Sequence, residues 1–222
     1  MTVTIHMPTQ TSLTDAQITP WRDIPVAIAA DLVPAEQIDP LIRPLCPPGA
    51  QPKLFGRAVT VECEPPDFGA VLHALDLVQP GDVLVISARG HKEEAMIGEI
   101  LGGHLRARGV SGLVCDGAVR DVAELAGWPD FSVFARSVTP RGPIGVSQGV
   151  VNQPVTVGGR LVTPGDLIMG DDDGLIALSP ESVLSYIHDA NAKVTLEAEW
   201  IAGLAAGQSV AEVFGLVSPK QA

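Results

Sequence analysis

Between Gly112 and Asp121 the chain reads Gly-Leu-Val-Cys-Asp-Gly-Ala-Val-Arg-Asp. A short apolar run bounded by Gly reads as a buried strand. It ends at an Asp-Gly turn and delivers Arg120 and Asp121 to the start of the next helix. Upstream, Val83 to Ile86 is a second apolar run. It follows Pro80-Gly81-Asp82, a turn in which Pro sets φ for the first corner and Gly accepts the positive φ of the second. Between the two runs, Met96, Ile97, Ile100, Leu101 and Leu105 fall at helical spacing and predict a helix from about Lys92 to Arg108, stopped by Gly109. Strand, helix, strand of this length is a βαβ unit, so part of the sheet is expected to be parallel. Gly102 and Gly103 weaken the middle of that helix by about 1 kcal/mol each relative to Ala. Either another backbone approaches closely there, or the helix begins later.

The rest of the chain fits a mixed α/β domain. Residues 1 to 18 are polar and weakly patterned and read as a loose arm; 19–222 reads as one domain. Ile24 to Leu32 predicts a short helix. The prolines from Pro34 to Pro52 leave no long regular element. Phe55 to Cys63 alternates as a strand, Ala70 to Val78 reads as a short helix, and Phe131 to Arg136 and Val155 to Val157 read as short strands. Pro164-Gly165-Asp166-Leu167-Ile168-Met169 repeats the turn-plus-strand pattern that begins at Pro80. Asp171-Asp172-Asp173-Gly174 turns into a strand, Leu175 to Leu178. Ser179-Pro180-Glu181 is a strong helix start, and the helix can run from about 180 to 206, where Gly207 stops it.

A net charge of −12 with no basic cluster disfavours a polyanionic partner, so no nucleic acid is expected. Cys46, Cys63 and Cys115 are widely spaced, without Cys-x-x-Cys, which fits a reducing cytoplasm rather than a disulfide framework or zinc site. The N-terminus lacks a basic segment followed by an apolar core. No apolar run approaches the roughly 18 residues of a membrane span. No membrane partner is expected.

Arg120-Asp121 is the leading candidate site. Arg grips a carboxylate through two parallel hydrogen bonds, and Asp can hold a hard divalent cation. The same pair would also serve as a surface ion pair, or as a helix-start Asp complementing the dipole. Glu99, on the preceding helix, can reach the same sheet edge, and Gly98 beside it would let a ligand approach the backbone; an exposed helical Glu is the other reading. If they converge, Asp121 would bind Mg²⁺ directly and Glu99 through water. A 2-oxo acid would chelate that metal, and metal and Arg120 would stabilise the enolate formed when a bond next to the ketone breaks. Retro-aldol cleavage and 2-oxo-acid decarboxylation share that enolate. Lys53, Lys92, Lys193 and Lys220 lie outside any buried-strand pattern, which argues against a Schiff-base mechanism. The Asp171–Asp173 run reads as a solvated turn. Cys115 reads as a core residue, and His91 as either exposed or an acid/base group. Neither a Gly-x-Ser-x-Gly elbow nor a phosphate-cradling glycine loop is present.

Gly98-Glu99-Ile100-Leu101 followed by Arg108-Gly109 through Arg120-Asp121 resembles the signature of the 4-hydroxy-4-methyl-2-oxoglutarate/4-carboxy-4-hydroxy-2-oxoadipate (HMG/CHA) aldolases, which belong with the RraA-like regulators of ribonuclease activity. The similarity runs from about Phe55 to Leu216 and includes Gln79 to Asp82, Pro140-Arg141-Gly142, Val151 to Val155 and Pro164 to Gly174. The resemblance implies a layered β/β/α sandwich of the swivelling-domain type, assembled as a homotrimer or homohexamer with sites between subunits. It also implies a class II pyruvate aldolase dependent on Mg²⁺ or Mn²⁺, with oxaloacetate decarboxylase activity. Asp121 would be the metal ligand, Glu99 an outer-sphere ligand, and Arg120 the residue that binds pyruvate and polarises its ketone. The amides of Ile100 and Leu101, beside Gly98, would hold the substrate carboxylate. A neighbouring subunit's C-terminal helix would add a Glu, which counting back from Gly207 places at Glu197. A non-catalytic protein-binding regulator on the same scaffold is the alternative; that branch usually lacks the Asp after the Arg. The region before Phe55 lacks the family's common Ser-Thr-rich first helix.

Overall fold

The computed structural model describes residues 2–7 and 13–217. Met1 and residues 8–12 of the expected arm, and residues 218–222 with Lys220, lie outside the described residues. From the N-terminus the elements are β1 (Thr4–Ile5), α1 (Asp15–Ile18), α2 (Val26–Leu32), β2 (Arg43–Pro44), β3 (Leu54–Glu62) and α3 (Gly69–Ala74). Then come β4 (Val83–Ile97), α4 (Glu99–Ala107), β5 (Gly112–Val119), α5 (Val122–Ala126) and β6 (Ser132–Val138). β7 (Val150–Val151), β8 (Val155–Val157), β9 (Arg160–Val162), β10 (Leu167–Asp171) and β11 (Gly174–Leu178) precede a long α6 (Pro180–Ala205) and a short α7 (Val210–Val213).

The βαβ expectation holds: β3, β4, β5 and β6 pair in parallel, each with the next. β3 also joins two sheets. Its second half, Ala58 to Glu62, pairs with β4, while its first half, Leu54 to Arg57, pairs antiparallel with β10, which turns back into β11. Alternation along β3 makes this a layered structure. Val61, Leu84, Ile86, Leu113, Cys115 and Val133 face α3, α4 and α5. Ala58, Val83, Val85, Val114 and Phe134 face Ile168, Leu175 and Ala177 of the second sheet. The outer face of that sheet, with Phe55, Leu167, Met169 and Ile176, is covered by α2 and by Val183 and Ala190 of α6. Ser179 caps α6, its hydroxyl accepting the Ser182 N–H at 3.2 Å, as the Ser-Pro-Glu start requires. Among the described residues no helix is long and apolar enough to cross a membrane.

Three expectations need correction. Residues 92–97 are strand, not helix: β4 continues to Ile97 with irregular register against β5, and α4 starts only at Glu99. Ala95, Met96 and Ile97 are consecutively buried within that strand. Met96 and Ile97 simply happened to match helical spacing with Ile100. Of the two readings of Gly102 and Gly103, the later helix start holds; among the described residues no backbone approaches them closely, and a Cβ on Gly102 would meet side chains, Leu125 Cδ2 at 3.0 Å and Trp128 at 3.3 Å. Secondly, the arm is not loose as far as residue 18. β1 pairs with β7, and Leu13 and Ile18 are buried in the layer beneath α6, two apolar residues that polar neighbours had hidden. Thirdly, α3 ends at Ala74 and a tight turn carries the chain on to Val78, whose N–H still reaches the Ala74 carbonyl at 3.2 Å.

The repeated Pro-Gly-Asp device has the same construction in both places. Asp82 Oδ2 accepts the Gln79 N–H, and Asp166 Oδ2 accepts the Thr163 N–H, each at 2.8 Å. Gly81 and Gly165 take φ of 84° and 92°. Burial raises both carboxyls, that of Asp166 to about 6 from 3.8. Between those values the folded chain binds more protons at Asp166 than the unfolded chain does, so this residue's contribution to stability declines as pH rises through about 6. Asp166→Asn keeps an acceptor for the Thr163 N–H but removes the titration. Its melting temperature relative to the parent chain is expected to climb as pH goes from 4 to 7.5 in thermal melts; a difference that stays constant with pH would refute the assignment.

Candidate active site

The end of β5 and the start of α4 are built against each other. Arg120 donates its N–H to the Ile97 carbonyl at 3.1 Å, which ties the exits of β5 and β4 together. Asp121 then adopts a left-handed conformation, φ 57° and ψ 41°, which costs a non-glycine residue about 1 kcal/mol or more and recurs at functional sites. In that conformation its carbonyl accepts the Glu124 and Leu125 N–H groups, both at 3.1 Å, and so opens α5. Its carboxylate turns back: Oδ2 accepts the Glu99 N–H at 3.0 Å, which satisfies one of the orphan donors at the start of α4. Oδ1 has no hydrogen-bond partner among the described residues, and the side chain is 40% exposed.

Two glycines leave room for these side chains. A Cβ on Gly98 would stand 2.4 Å from Asp121 Oδ2 and 2.7 Å from Arg120 Cγ; one on Gly142 would stand 2.6 Å from Arg120 Nη1. Arg120 therefore lies in a slot between the α4 start and the Gly142 strand of chain, with Nε 3.6 Å from Asp121 Oδ2. The α4 amides of Ile100 and Leu101 belong to the first turn and lack intrahelical acceptors. Gly98, Ile100, Leu101, Arg120 and Asp121 all line one pocket of about 300 Å³. The remaining wall comes from Phe68 and Leu72 of the α3 region, the β4 end, and Gly142-Pro143.

The segment that carries Gly142 is firmly held. The Arg141 carbonyl accepts the Ala95 N–H, and Ile144 donates to the Pro66 carbonyl, both at 2.8 Å. Asp67 accepts N–H groups from Gly69, Ser147 and Gln148 at 2.7, 2.9 and 3.1 Å. Burial alone would raise the Asp67 carboxyl, but those donors outweigh it and hold it below the ordinary value. Glu94, 7% exposed, lies behind this wall, 2.6 Å from His91 Nε2 and 3.3 Å from Arg141 Nε.

The expected residues are thus distributed unevenly. Arg120, Asp121, Gly98, Ile100 and Leu101 converge. Glu99 contributes its backbone N–H, while its side chain is exposed and not part of the lining. Glu197 does not reach this pocket within the chain. Its helix, α6, packs on α1, α2 and β11 and covers the other sheet layer. Cys63 and Cys115 are core residues whose thiols burial pushes up, Cys63 to about 12 and Cys115 well above its ordinary value, so neither supplies a thiolate. His91 is taken up by Glu94. Phe68, Leu72 and Pro143 were not anticipated from sequence. Gly142 entered the sequence reading only through Pro140-Arg141-Gly142, one of the blocks that carry the family resemblance.

Among the described residues no three His, Cys, Asp or Glu side chains converge to hold a metal. The donor set of one chain is Asp121 Oδ1, with Glu99 exposed nearby. Such a set suits Mg²⁺, which keeps several waters and is often held by one or two carboxylates.

The Aldolase/RraA profile of the RraA-like family matches residues 12–177. A Halalkalibacterium halodurans protein provisionally named 4-hydroxy-4-methyl-2-oxoglutarate aldolase is 34% identical over 161 residues, 72% of this chain and 75% of that protein. An uncharacterized protein from Pseudomonas syringae pv. tomato shares the fold, with a TM-score of 0.82 and 23% identity over 94% of this chain and 98% of its own. The RNA-processing inhibitor RraA from Thermus thermophilis superposes with a TM-score of 0.62 and 28% identity, covering 69% of this chain and 92% of its own. The chain belongs to the RraA-like family that unites the Aldolase/RraA proteins.

Proposed function

We propose that this protein is a divalent-metal-dependent lyase that cleaves 4-hydroxy-2-oxo acids to pyruvate and decarboxylates oxaloacetate, with Mg²⁺ or Mn²⁺ as the cation. The observation that carries this reading is the convergence, in one pocket, of Arg120, the free Oδ1 of Asp121 and the first-turn amides of α4. A cation held by Asp121 would supply Lewis-acid charge against the ketone of a 2-oxo acid. Glu99, whose N–H is held by Asp121 and whose side chain is exposed, would hold that cation's water. The chain's own groups then divide the substrate. The Ile100 and Leu101 amides meet the carboxylate, aided by the positive end of α4. Arg120, whose guanidinium donates to no described side chain at hydrogen-bond distance, offers paired donors where charge develops on the former ketone oxygen.

Two features support an assembly-dependent site. Asp121 alone leaves the cation's other positions open, and Ile100 at the pocket rim is 79% exposed. We infer that a homotrimer or homohexamer closes the pocket and that Glu197 of a neighbouring copy reaches it. The second reading, a non-catalytic regulator of ribonuclease activity, draws on the likeness to the Thermus RraA. The Arg120-Asp121 pair favours the enzyme.

Release of pyruvate from oxaloacetate, with Mg²⁺ and with EDTA, separates the two readings. Metal-dependent release is expected from the parent chain, and its absence sinks the lyase. Asp121→Ala is expected to lower metal-dependent turnover at least 100-fold, an effect of about 3 kcal/mol on the barrier. The fold should survive, as read by circular dichroism; unchanged turnover would remove Asp121 from the site. Arg120→Lys should fail nearly as badly, because a point charge cannot reproduce the planar paired grip. Gly142→Ala should leave the melting temperature within a few degrees of the parent while lowering turnover at least tenfold. The added methyl meets the mobile tip of Arg120 rather than backbone. Full activity in Gly142→Ala would mean that the Arg120 position does not matter.

A further inference from the structure

Resting on the lyase reading above, we propose that Glu94 is a positioning residue for that reaction: through Arg141 it holds Gly142 against Arg120 and so sets the aim of the guanidinium. Glu94 does not line the pocket, and its side chain is 7% exposed. A carboxylate so deeply buried is costly unless it is paired. It has two partners, the His91 imidazole, with Nε2 at 2.6 Å, and the Arg141 guanidinium, with Nε at 3.3 Å. They take different oxygens, Oε2 and Oε1, so neither contact displaces the other. The Arg141 side chain is 63% exposed, and an ion pair exposed at both ends is worth little; the buried end at Glu94 is what makes this one hold.

Three consecutive residues of β4 grip the segment that leads into Gly142. The Glu93 carbonyl accepts the Thr139 hydroxyl at 3.3 Å, and the Ala95 N–H donates to the Arg141 carbonyl at 2.8 Å. Between them, the Glu94–Arg141 pair is the side-chain tie. The backbone bond fixes where residue 141 sits, and the side-chain pair resists its rotation about that bond. Gly142 is the next residue along, and there is no slack at it: a Cβ there would stand 2.6 Å from Arg120 Nη1. A small outward movement of this wall would free the Arg120 guanidinium to take other rotamers. Misplacing a reacting group by about 1 Å can lower a rate on the order of 100-fold.

Glu94 touches no reacting atom in this arrangement, and neither does His91, which is also outside the lining. The effect of Glu94 on turnover therefore runs through Arg120. It spares the cation, because the Asp121 carboxylate is fixed separately by the Glu99 N–H. A loss of the Glu94–Arg141 tie is thus felt in the handling of the 2-oxo acid and not in the affinity for metal.

The test uses the full chain and two readouts: kcat/KM for pyruvate release from oxaloacetate with Mg²⁺, and Mn²⁺ affinity from the paramagnetic resonance signal of the free ion. Glu94→Gln keeps the shape and loses the charge. Arg141→Met leaves the His91–Glu94 pair in place. Each is expected to lower kcat/KM at least fivefold while Mn²⁺ affinity stays within threefold of the parent. Added to Gly142→Ala, Arg141→Met is expected to cost less than twofold beyond Gly142→Ala alone, because the methyl already disturbs the same slot; independent effects would multiply. A loss below fivefold in Arg141→Met, a fall in Mn²⁺ affinity beyond threefold, or losses that multiply overturns the positioning role and leaves the lyase reading standing. If Glu94→Gln does not fold, Arg141→Met and the double variant decide by the same limits. No pyruvate from the parent chain overturns both.

Discussion

The carboxylate of Asp121 holds the N–H of Glu99, and the architecture of the site follows from that contact. It fastens the exit of β5 to the start of α4. It requires the left-handed turn at Asp121 that launches α5. It fixes one carboxylate oxygen and leaves the other available. It also explains why position 98 must be glycine, because any side chain there would occupy the space of Asp121 and Arg120. An Asp used this way is a structural cap and a candidate ligand at once, so the geometry that orients it is part of the fold rather than an addition to it.

Much of this was legible in the sequence wherever the physical cause is local. The apolar run before Arg120, the Pro-Gly-Asp turns and the Ser-Pro-Glu start of α6 each act within a few residues, and each appears where its chemistry places it. The β4–α4 boundary was not legible in the same way, because a bulged strand has no fixed period and Met96 and Ile97 matched a helical stripe by coincidence. The pocket wall escaped for another reason. Phe68, Leu72 and Pro143 come from segments far apart in sequence, brought together by parallel β3–β4–β5 pairing, by the Asp67 carboxylate that accepts the Ser147 N–H and by the Arg141 carbonyl that accepts the Ala95 N–H. No local pattern records such convergence. Glu197 lies on α6, which covers the opposite sheet layer, so within one chain it does not reach the pocket.

Membership of the RraA-like family is compatible with either an enzyme or a regulator, so the family does not decide the activity. Asp121 has a structural role as the cap of α4, but the Arg120 guanidinium, set between Gly98 and Gly142, donates to no described side chain at hydrogen-bond distance, which favours the reading that it binds a small acid. The layered fold adds a division of labour. The layer with α3, α4 and α5 carries the pocket, while α6 covers the opposite layer and presents Leu184, Ile201 and Leu204 to the surface.

The most direct test of the central claim is an anomalous difference map from crystals grown with Mn²⁺ and pyruvate. A peak is expected within coordination distance of Asp121 Oδ1, with pyruvate contacting that peak, the Arg120 guanidinium and the first-turn amides of α4. A fully occupied Mn²⁺ bound away from Asp121, or pyruvate seated without contact to Arg120, would contradict it.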